Sequence, residues 1–254
     1  MALPIFTDRM RSATKSVHDK SDRLVNLKLG LVLTSHQLYG EAIGLFAPIY
    51  CRLEEALERH RDGRLGCIAA LLEDLRRTPK FDEDILFYLG EDGVASIKKK
   101  REEGIPEELK DYLDHLNDLE REDPLLLVPY IYHLFMAIMA GGYIIKKMVK
   151  RAMGLKKDND EGVMAFSFTE LNCAHLRRRL KHAVNNELKL SKEEEEKILK
   201  ESEEVFNRNN LLVGTVQNSQ SFNDAVRKWS NRMRATGAIF LSVFVLTCIW
   251  RQKR

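Results

Sequence analysis

Three features of this chain predict an all-α fold. Apolar residues recur at three- and four-residue spacing in one segment after another, and no stretch of useful length alternates apolar with polar. Six prolines and fourteen glycines are few for a strand-rich chain of 254 residues. Hydrophobic residues make up 44% and charged residues 31%, the mix of amphipathic helices with charged outer faces. The length suffices for one large helical domain.

The elements follow in order. A first helix is expected from an N-cap at Thr7 through Leu24. Phe6, Met10, Ala13 and Val17 form its apolar stripe. Arg11, Lys15, His18 and Asp22 fall on a different face, within roughly one sixth of a turn of each other. Thr34–His60 reads as a second long helix, with Leu45, Ile49, Leu53 and Leu57 every four residues and a kink expected at Pro48. Ile68–Arg77 is a short helix stopped by Thr78-Pro79. Asp82–Gly90 is another, closed by its glycine. Pro106 opens a further helix at its first turn, with Tyr112, Leu116 and Leu119 on its apolar side.

Tyr130–Arg151 is a long apolar helix with Gly141-Gly142 in its interior. Each glycine costs about 1 kcal/mol relative to alanine there. A helix keeps such a pair for close packing against another helix, or to admit something flat and bulky to its backbone. Lys156–Glu161 is a polar loop. Leu171–Glu187 is basic in its middle, with Arg177, Arg178, Arg179, Lys181 and His182. Ser191–Val213 is an amphipathic helix opened by a capping box from Ser191 to Glu194.

Residues 1–213 therefore read as the helical domain and 214–234 as a polar linker. Residues 235–250, Ala235 to Trp250, carry no charge. At about 1.5 Å per residue they reach roughly 24 Å, against a bilayer core of about 30 Å. Arg232 and Arg234 precede them, and Arg251, Lys253 and Arg254 follow. Basic side chains can snorkel there, and Trp250 suits the interface. The segment reads as a C-terminal membrane anchor rather than a buried helix, and its shortness suits a thin bilayer such as the endoplasmic reticulum.

Other classes are set aside. A net charge of +3 does not favour a nucleic-acid partner. No P-loop or dinucleotide glycine motif is present. Cys51, Cys67, Cys173 and Cys248 form no CxxC pair, so a structural zinc site is not expected. Their spacing suits free thiols in a reducing compartment. The first residues hold no apolar stretch long enough for a signal peptide, so the bulk of the protein is expected to face the cytosol.

Several segments, in order, resemble the haem oxygenase family over roughly residues 5–214. ATKSVHD (Ala13–Asp19) resembles the family's segment around the proximal histidine. LEEALER (Leu53–Arg59) and DEDILFYLG (Asp82–Gly90) match in place and character. MAGGYIIKKM (Met139–Met148) is similar to the family's glycine-pair signature, and EGVMAFSF (Glu161–Phe168) to the segment after it. VFNRNN (Val205–Asn210) resembles a later helix. The resemblance implies a helical fold that grips haem between two helices, haem being both cofactor and substrate. It implies use of O2 and of electrons from NADPH through NADPH-cytochrome P450 reductase. The implied products are biliverdin, carbon monoxide and ferrous iron, with biliverdin reductase as a further partner. Animal members are held to the endoplasmic reticulum by a C-terminal anchor.

The same resemblance implies roles for single residues. His18 is the expected iron ligand, since a neutral imidazole suits haem iron and leaves the opposite face open. Arg11 and Lys15, with Arg178 and His182, are expected to face the haem carboxylates. Gly141 and Gly142 are expected to let the distal backbone approach bound oxygen. Tyr132 and Phe206 match aromatic pocket positions, and His133 is expected to be structural. The Arg177–Arg179 run could equally meet the acidic face of a reductase.

The resemblance breaks at the distal helix. Where many members carry an aspartate three residues before the first glycine, this chain has Ile138. Leu134 stands in place of a distal arginine, and Tyr143 in place of a glutamine. Leu134, Ile138 and Gly141 fall on one helical face, expected to be apolar. Isoleucine cannot hold a proton-relay water. Backbone carbonyls beside the glycines could anchor the water, turnover or regioselectivity could change, or the protein could bind haem as a sensor without opening it. A tail-anchored helical adaptor without haem is the remaining class.

Overall fold

The computed structural model describes residues 5–230 apart from 104, 169, 217–219 and 229. Every regular element among the described residues is helical. The expected first helix is two helices, α1 (Phe6–Ala13) and α2 (Lys15–Val32). Thr14 separates them, with φ −92° and ψ 1°. Its hydroxyl donates to the carbonyls of Met10 at 2.9 Å and Arg11 at 3.3 Å, the kind of back-bonding that bends helices. Thr7 is not the N-cap. It lies inside α1, buried, and its amide donates to Asn185 Oδ1 at 2.9 Å.

α3 (His36–Arg59) starts at Ser35, whose hydroxyl accepts from the Leu38 amide, and holds Pro48 without ending. Ile49, Leu53 and Leu57 are fully buried. The short helix expected over Ile68–Arg77 is instead two single turns, α4 (Gly66–Ala69) and α5 (Leu72–Leu75). α6 (Thr78–Glu103) packs along α3. Glu54 of α3 accepts from the Arg77 and Thr78 amides at 2.5 and 3.2 Å, so a buried carboxylate caps the positive end of α6. Gly90 does not close α6 but kinks it, with φ 65° and ψ −178°.

α7 (Glu107–Glu122) follows Pro106, and a 3₁₀ turn, Pro124–Leu127, feeds α8 (Val128–Met153). α8 runs unbroken through Gly141-Gly142 and ends at Gly154 in the left-handed region, φ 67°. With the preceding turn it is long and apolar enough to cross a membrane, yet 72% of its most apolar window is buried inside the fold. It is the core helix. The loop after it is tied back by Asp160, which accepts from Lys146 at 2.7 Å and Lys150 at 2.9 Å.

A 3₁₀ turn, Met164–Phe166, leads to α9 (Glu170–His182), which ends in a π turn, Ala183–Glu187. α10 (Lys192–Thr215) opens on the expected capping box, with both halves formed. α10 packs against α8, α2, α1 and α7, and so joins the first helices to the core helix. Within the stretch read as a linker, residues 220–228 are helical. Ser221 Oγ donates to Glu41 at 2.8 Å and Ala225 is buried. The segment 235–250 lies outside the described residues.

Candidate functional site

α8 has two unlike faces. Leu134 and Ile138 are each only 5% exposed, and the Leu134 carbonyl accepts from the buried Tyr50 hydroxyl at 3.2 Å. Ala137 and Ala140 are exposed. A Cβ built on Gly141 would meet nothing within 4 Å, whereas one on Gly142 would touch Phe166 at 3.6 Å. Gly141 therefore shares an open, bare face with Ala137 and Ala140, while Gly142 lies against protein. By helix angle Gly141 falls on the same face as Leu134 and Ile138, and along that face buried side chains give way to open space. Further along the helix the large side chains Tyr143, Ile144 and Met148 are exposed as well.

His18 lies one turn into α2, its amide donating to the Thr14 carbonyl at 2.8 Å. Its exposed ring tilts against Phe206, with centroids 5.3 Å apart. Phe206 sits on α10 and is 9% exposed. Its ring also meets His133 of α8, with centroids 5.1 Å apart. One phenylalanine therefore touches an imidazole from each of two helices that reach it from different parts of the chain. Two contacts hold α2 on α10 just beyond His18. Ser21 Oγ donates to Asn210 Oδ1 at 2.8 Å, and Lys28 Nζ donates to the Val213 carbonyl at 3.0 Å. Lys28 is 8% exposed, and burial lowers its pKa.

Charge gathers at one end of this opening. Tyr132 is buried, and burial raises its phenol pKa with help from Asp8. The Thr7 hydroxyl and the charges of Arg11 and Arg177 pull it the other way. Arg11 of α1 and Arg177 of α9 thus lie within electrostatic reach of Tyr132 on α8. Lys15, at the start of α2, and Arg178 are exposed. His182 is turned to its own π turn: its Nδ1 meets Asn186 at 3.0 Å and its Nε2 lies 3.6 Å from Glu187. The structure thus brings Arg11, Tyr132, Phe206 and His18 into one neighbourhood and sets His182 against Asn186 and Glu187. The α9 cation it adds at the tyrosine is Arg177, one residue from the expected Arg178.

His133, expected to be structural, has a buried Nε2 with no hydrogen-bond partner. Burial, followed by the charge of His18, lowers its pKa to about 4, so the ring is neutral at pH 7. Nothing in its sequence position pointed to this, because the pairing comes from α10 folding between α2 and α8.

Among the described residues no three or more His, Cys, Asp and Glu side chains gather where they could hold a metal ion. What is present is an imidazole on one helix, a bare helix face on another, and cations at one end. That combination matches a flat, anionic, metal-bearing ring.

An all-helical protein with an imidazole helix and a glycine-paired helix meeting at one phenylalanine is the class the fold and site define. The family described as "Heme oxygenase" matches residues 5–215, and this chain belongs to it. It is 24% identical over 217 residues to heme oxygenase 1 of Bos taurus, covering 84% of this chain and 71% of that protein. It is 25% identical over 204 residues to heme oxygenase 1 of Gallus gallus, covering 79% and 66%. Among solved structures, heme oxygenase 2 of Chlamydomonas reinhardtii without heme superposes with a TM-score of 0.76 at 28% identity, covering 84% of this chain and 98% of that one. Heme oxygenase-1 of Synechocystis sp. PCC 6803, solved in complex with heme, superposes with a TM-score of 0.75 at 20% identity, covering 91% and 99%.

Proposed function

We propose that this protein binds haem between α2 and α8 and opens it oxidatively to biliverdin, carbon monoxide and ferrous iron. The observation that carries this reading is the family match over residues 5–215. The bare face of α8 at Gly141 supports it, because that face would admit a macrocycle and the helix loses stability by keeping glycine there.

Bound haem supplies the iron at which dioxygen is reduced and the ring that is oxidised. His18 would hold the iron through a neutral nitrogen. Phe206 backs that imidazole and fixes its tilt. Arg11 and Lys15 would meet the haem carboxylates, with Arg178 and His182 as the cations from α9. Arg177, which acts on Tyr132 electrostatically, is the stronger candidate on that helix. Tyr132 would close the same edge. Gly141 would let main-chain carbonyl groups approach the far side of the ring, where they can hold a water. Gly142 would keep α8 close against Phe166. Ile138 has no ionisable group, so no carboxylate relay would operate from that position.

Electrons would come from NADPH through NADPH-cytochrome P450 reductase, drawn to the exposed Arg178-Arg179 pair by charge. Biliverdin reductase would take the product. Residues 235–250 would hold the protein to the endoplasmic reticulum membrane with the helical domain facing the cytosol. The full chain in detergent, given haem, reductase, NADPH and O2, is expected to yield biliverdin absorption and carbon monoxide. Haem that binds but survives this treatment would refute the reaction. The His18→Ala variant is expected to weaken or shift the Soret band. An unchanged spectrum would remove His18 as the ligand.

A further inference from the structure

We propose that the last turns of α8 rest on an anionic lipid surface, with Tyr143, Ile144 and Met148 in the headgroup layer and Lys147 and Arg151 against lipid phosphates and carboxylates. This rests on the reading above that residues 235–250 hold the protein to a membrane, and not on haem being bound.

Three observations carry it. First, the face is apolar and exposed. Tyr143, Ile144 and Met148 are 56%, 63% and 38% exposed, and large apolar side chains left open together mark a contact surface. At 100° per residue, Ile144, Lys147, Met148 and Arg151 fall within about 100° of arc. Tyr143 borders them, with the Lys147 amine 4.3 Å from its ring centroid. Second, the charge there is of one sign. From Tyr143 to Lys157 the chain has no acidic residue, while Lys147, Arg151, Lys156 and Lys157 are all exposed. Lys146 and Lys150 are tied to Asp160, whereas Lys147 and Arg151 pair with no acid among the described residues. Apolar side chains beside basic ones suit a helix lying along an anionic bilayer surface. Third, the chain leaves the fold nearby. The helical residues 220–228 are held near the start of α3, where Ser221 Oγ donates to Glu41 at 2.8 Å. At that same start, His36 Nε2 lies 3.4 Å from the Met153 carbonyl, at the end of α8. Residue 235 lies within about 25 Å of residue 228 even at full extension. Tether and exposed face therefore reach one surface.

So small a strip holds weakly by itself, and the tether supplies the local concentration that keeps it in place. Ala137 and Ala140 are exposed and continue the same strip, so the contact turns the opening of α8 toward the lipid.

Tryptophan fluorescence of the full chain in vesicles of phosphatidylcholine and phosphatidylserine tests this. Trp229→Phe with Trp250→Phe leaves the chain without tryptophan. In that background Met148→Trp places a probe on the strip. Asp118→Trp places a control on α7, near Glu120, which holds Arg59 at the far end of α3. Lipids brominated along their acyl chains are expected to quench the probe at 148 several-fold more strongly than the one at 118. Lys147→Glu with Arg151→Glu should remove most of that difference, as should vesicles of phosphatidylcholine alone. Equal quenching at both positions, in chains that float with the vesicles, would overturn the contact and leave the anchor standing. A chain that does not float would overturn both. An emission shift at 148 on adding the reductase, without quenching by lipid, would assign the strip to that protein instead.

Discussion

Gly141 and Gly142 read alike in the sequence, yet they have different neighbours. Alanine at either position should gain about 1 kcal/mol of helix propensity, and neither meets a clash closer than 3.6 Å. Gly141→Ala is therefore expected to raise the unfolding free energy of the haem-free protein by up to about 1 kcal/mol. It should weaken haem binding by about tenfold, equivalent to about 1.4 kcal/mol. Gly142→Ala should raise stability similarly and change haem affinity less. Urea unfolding and a haem titration of both variants check this, and equal haem affinity in all three proteins would return the pair to ordinary packing. Asp84 offers a second test at this scale. It is fully buried, and burial raises its pKa to about 6 although the Met164 and Ala165 amides, donating to it at 2.8 and 2.9 Å, favour the charged form. Between the unfolded value of 3.8 and about 6 the folded state holds the extra proton, so stability from this group falls as pH rises through that window. The decline should reach roughly 2–3 kcal/mol. Unfolding measured at pH 4.5 and 7 should show that decline shrink in Asp84→Asn. An identical pH slope in the two proteins would discard the assignment.

At the scale of elements, some contacts hold helices without touching the opening. Glu120 of α7 gathers Arg52, Arg59 and His60 of the α3 end, with Arg59 Nε at 3.0 Å and His60 Nε2 at 2.9 Å. Burial alone would raise its pKa, but the hydrogen bonds from Arg59 and Arg52 lower it to about 2. Its folded value lies below its unfolded 4.5, so its contribution is present above pH 4.5 and is lost as pH falls toward 2. Glu120→Gln is expected to cost about 2–3 kcal/mol at pH 7 and to leave haem affinity unchanged. Equal losses of stability and affinity would mean that α3 and α7 shape the haem site directly. The seam between α2 and α10 should behave otherwise. Lys28→Met removes the buried donor to the Val213 carbonyl, and it should speed haem loss several-fold because α2 also carries His18.

Element boundaries were partly legible. The capping box at Ser191, the start after Pro106 and the polar loop 156–161 are local chemistry, and they stand where the sequence implied. The break at Thr14 and the split of Ile68–Arg77 into two turns were not legible. A threonine hydroxyl bonding back to Met10 looks no different in sequence from one facing water. Gly90 shows the same limit: the glycine bent a helix that it was expected to end.

For the molecule as a whole, charge and length set the remaining expectations. Arg179→Glu should slow reduction by the reductase several-fold at low salt, with the difference shrinking as ionic strength rises and screens the charge. Haem affinity should hold. A salt-independent rate in wild type would exclude electrostatic docking at this run. Deleting residues 235–254 should move the protein from the membrane pellet to the supernatant after cell lysis. Retention in the pellet would show that another part of the molecule binds the membrane.

The sequence alone determined the helical class, the family and which histidine to examine first. Each of these follows from periodicity, capping and the order of short motifs, which are properties of neighbouring residues. Only the tertiary structure decided which side of α8 is open, which α9 arginine acts on Tyr132, and that His133 shares Phe206 with His18. Those depend on α10 packing against α1, α2 and α8. Contacts between residues as far apart as 18 and 206 leave no periodic trace for a sequence to display.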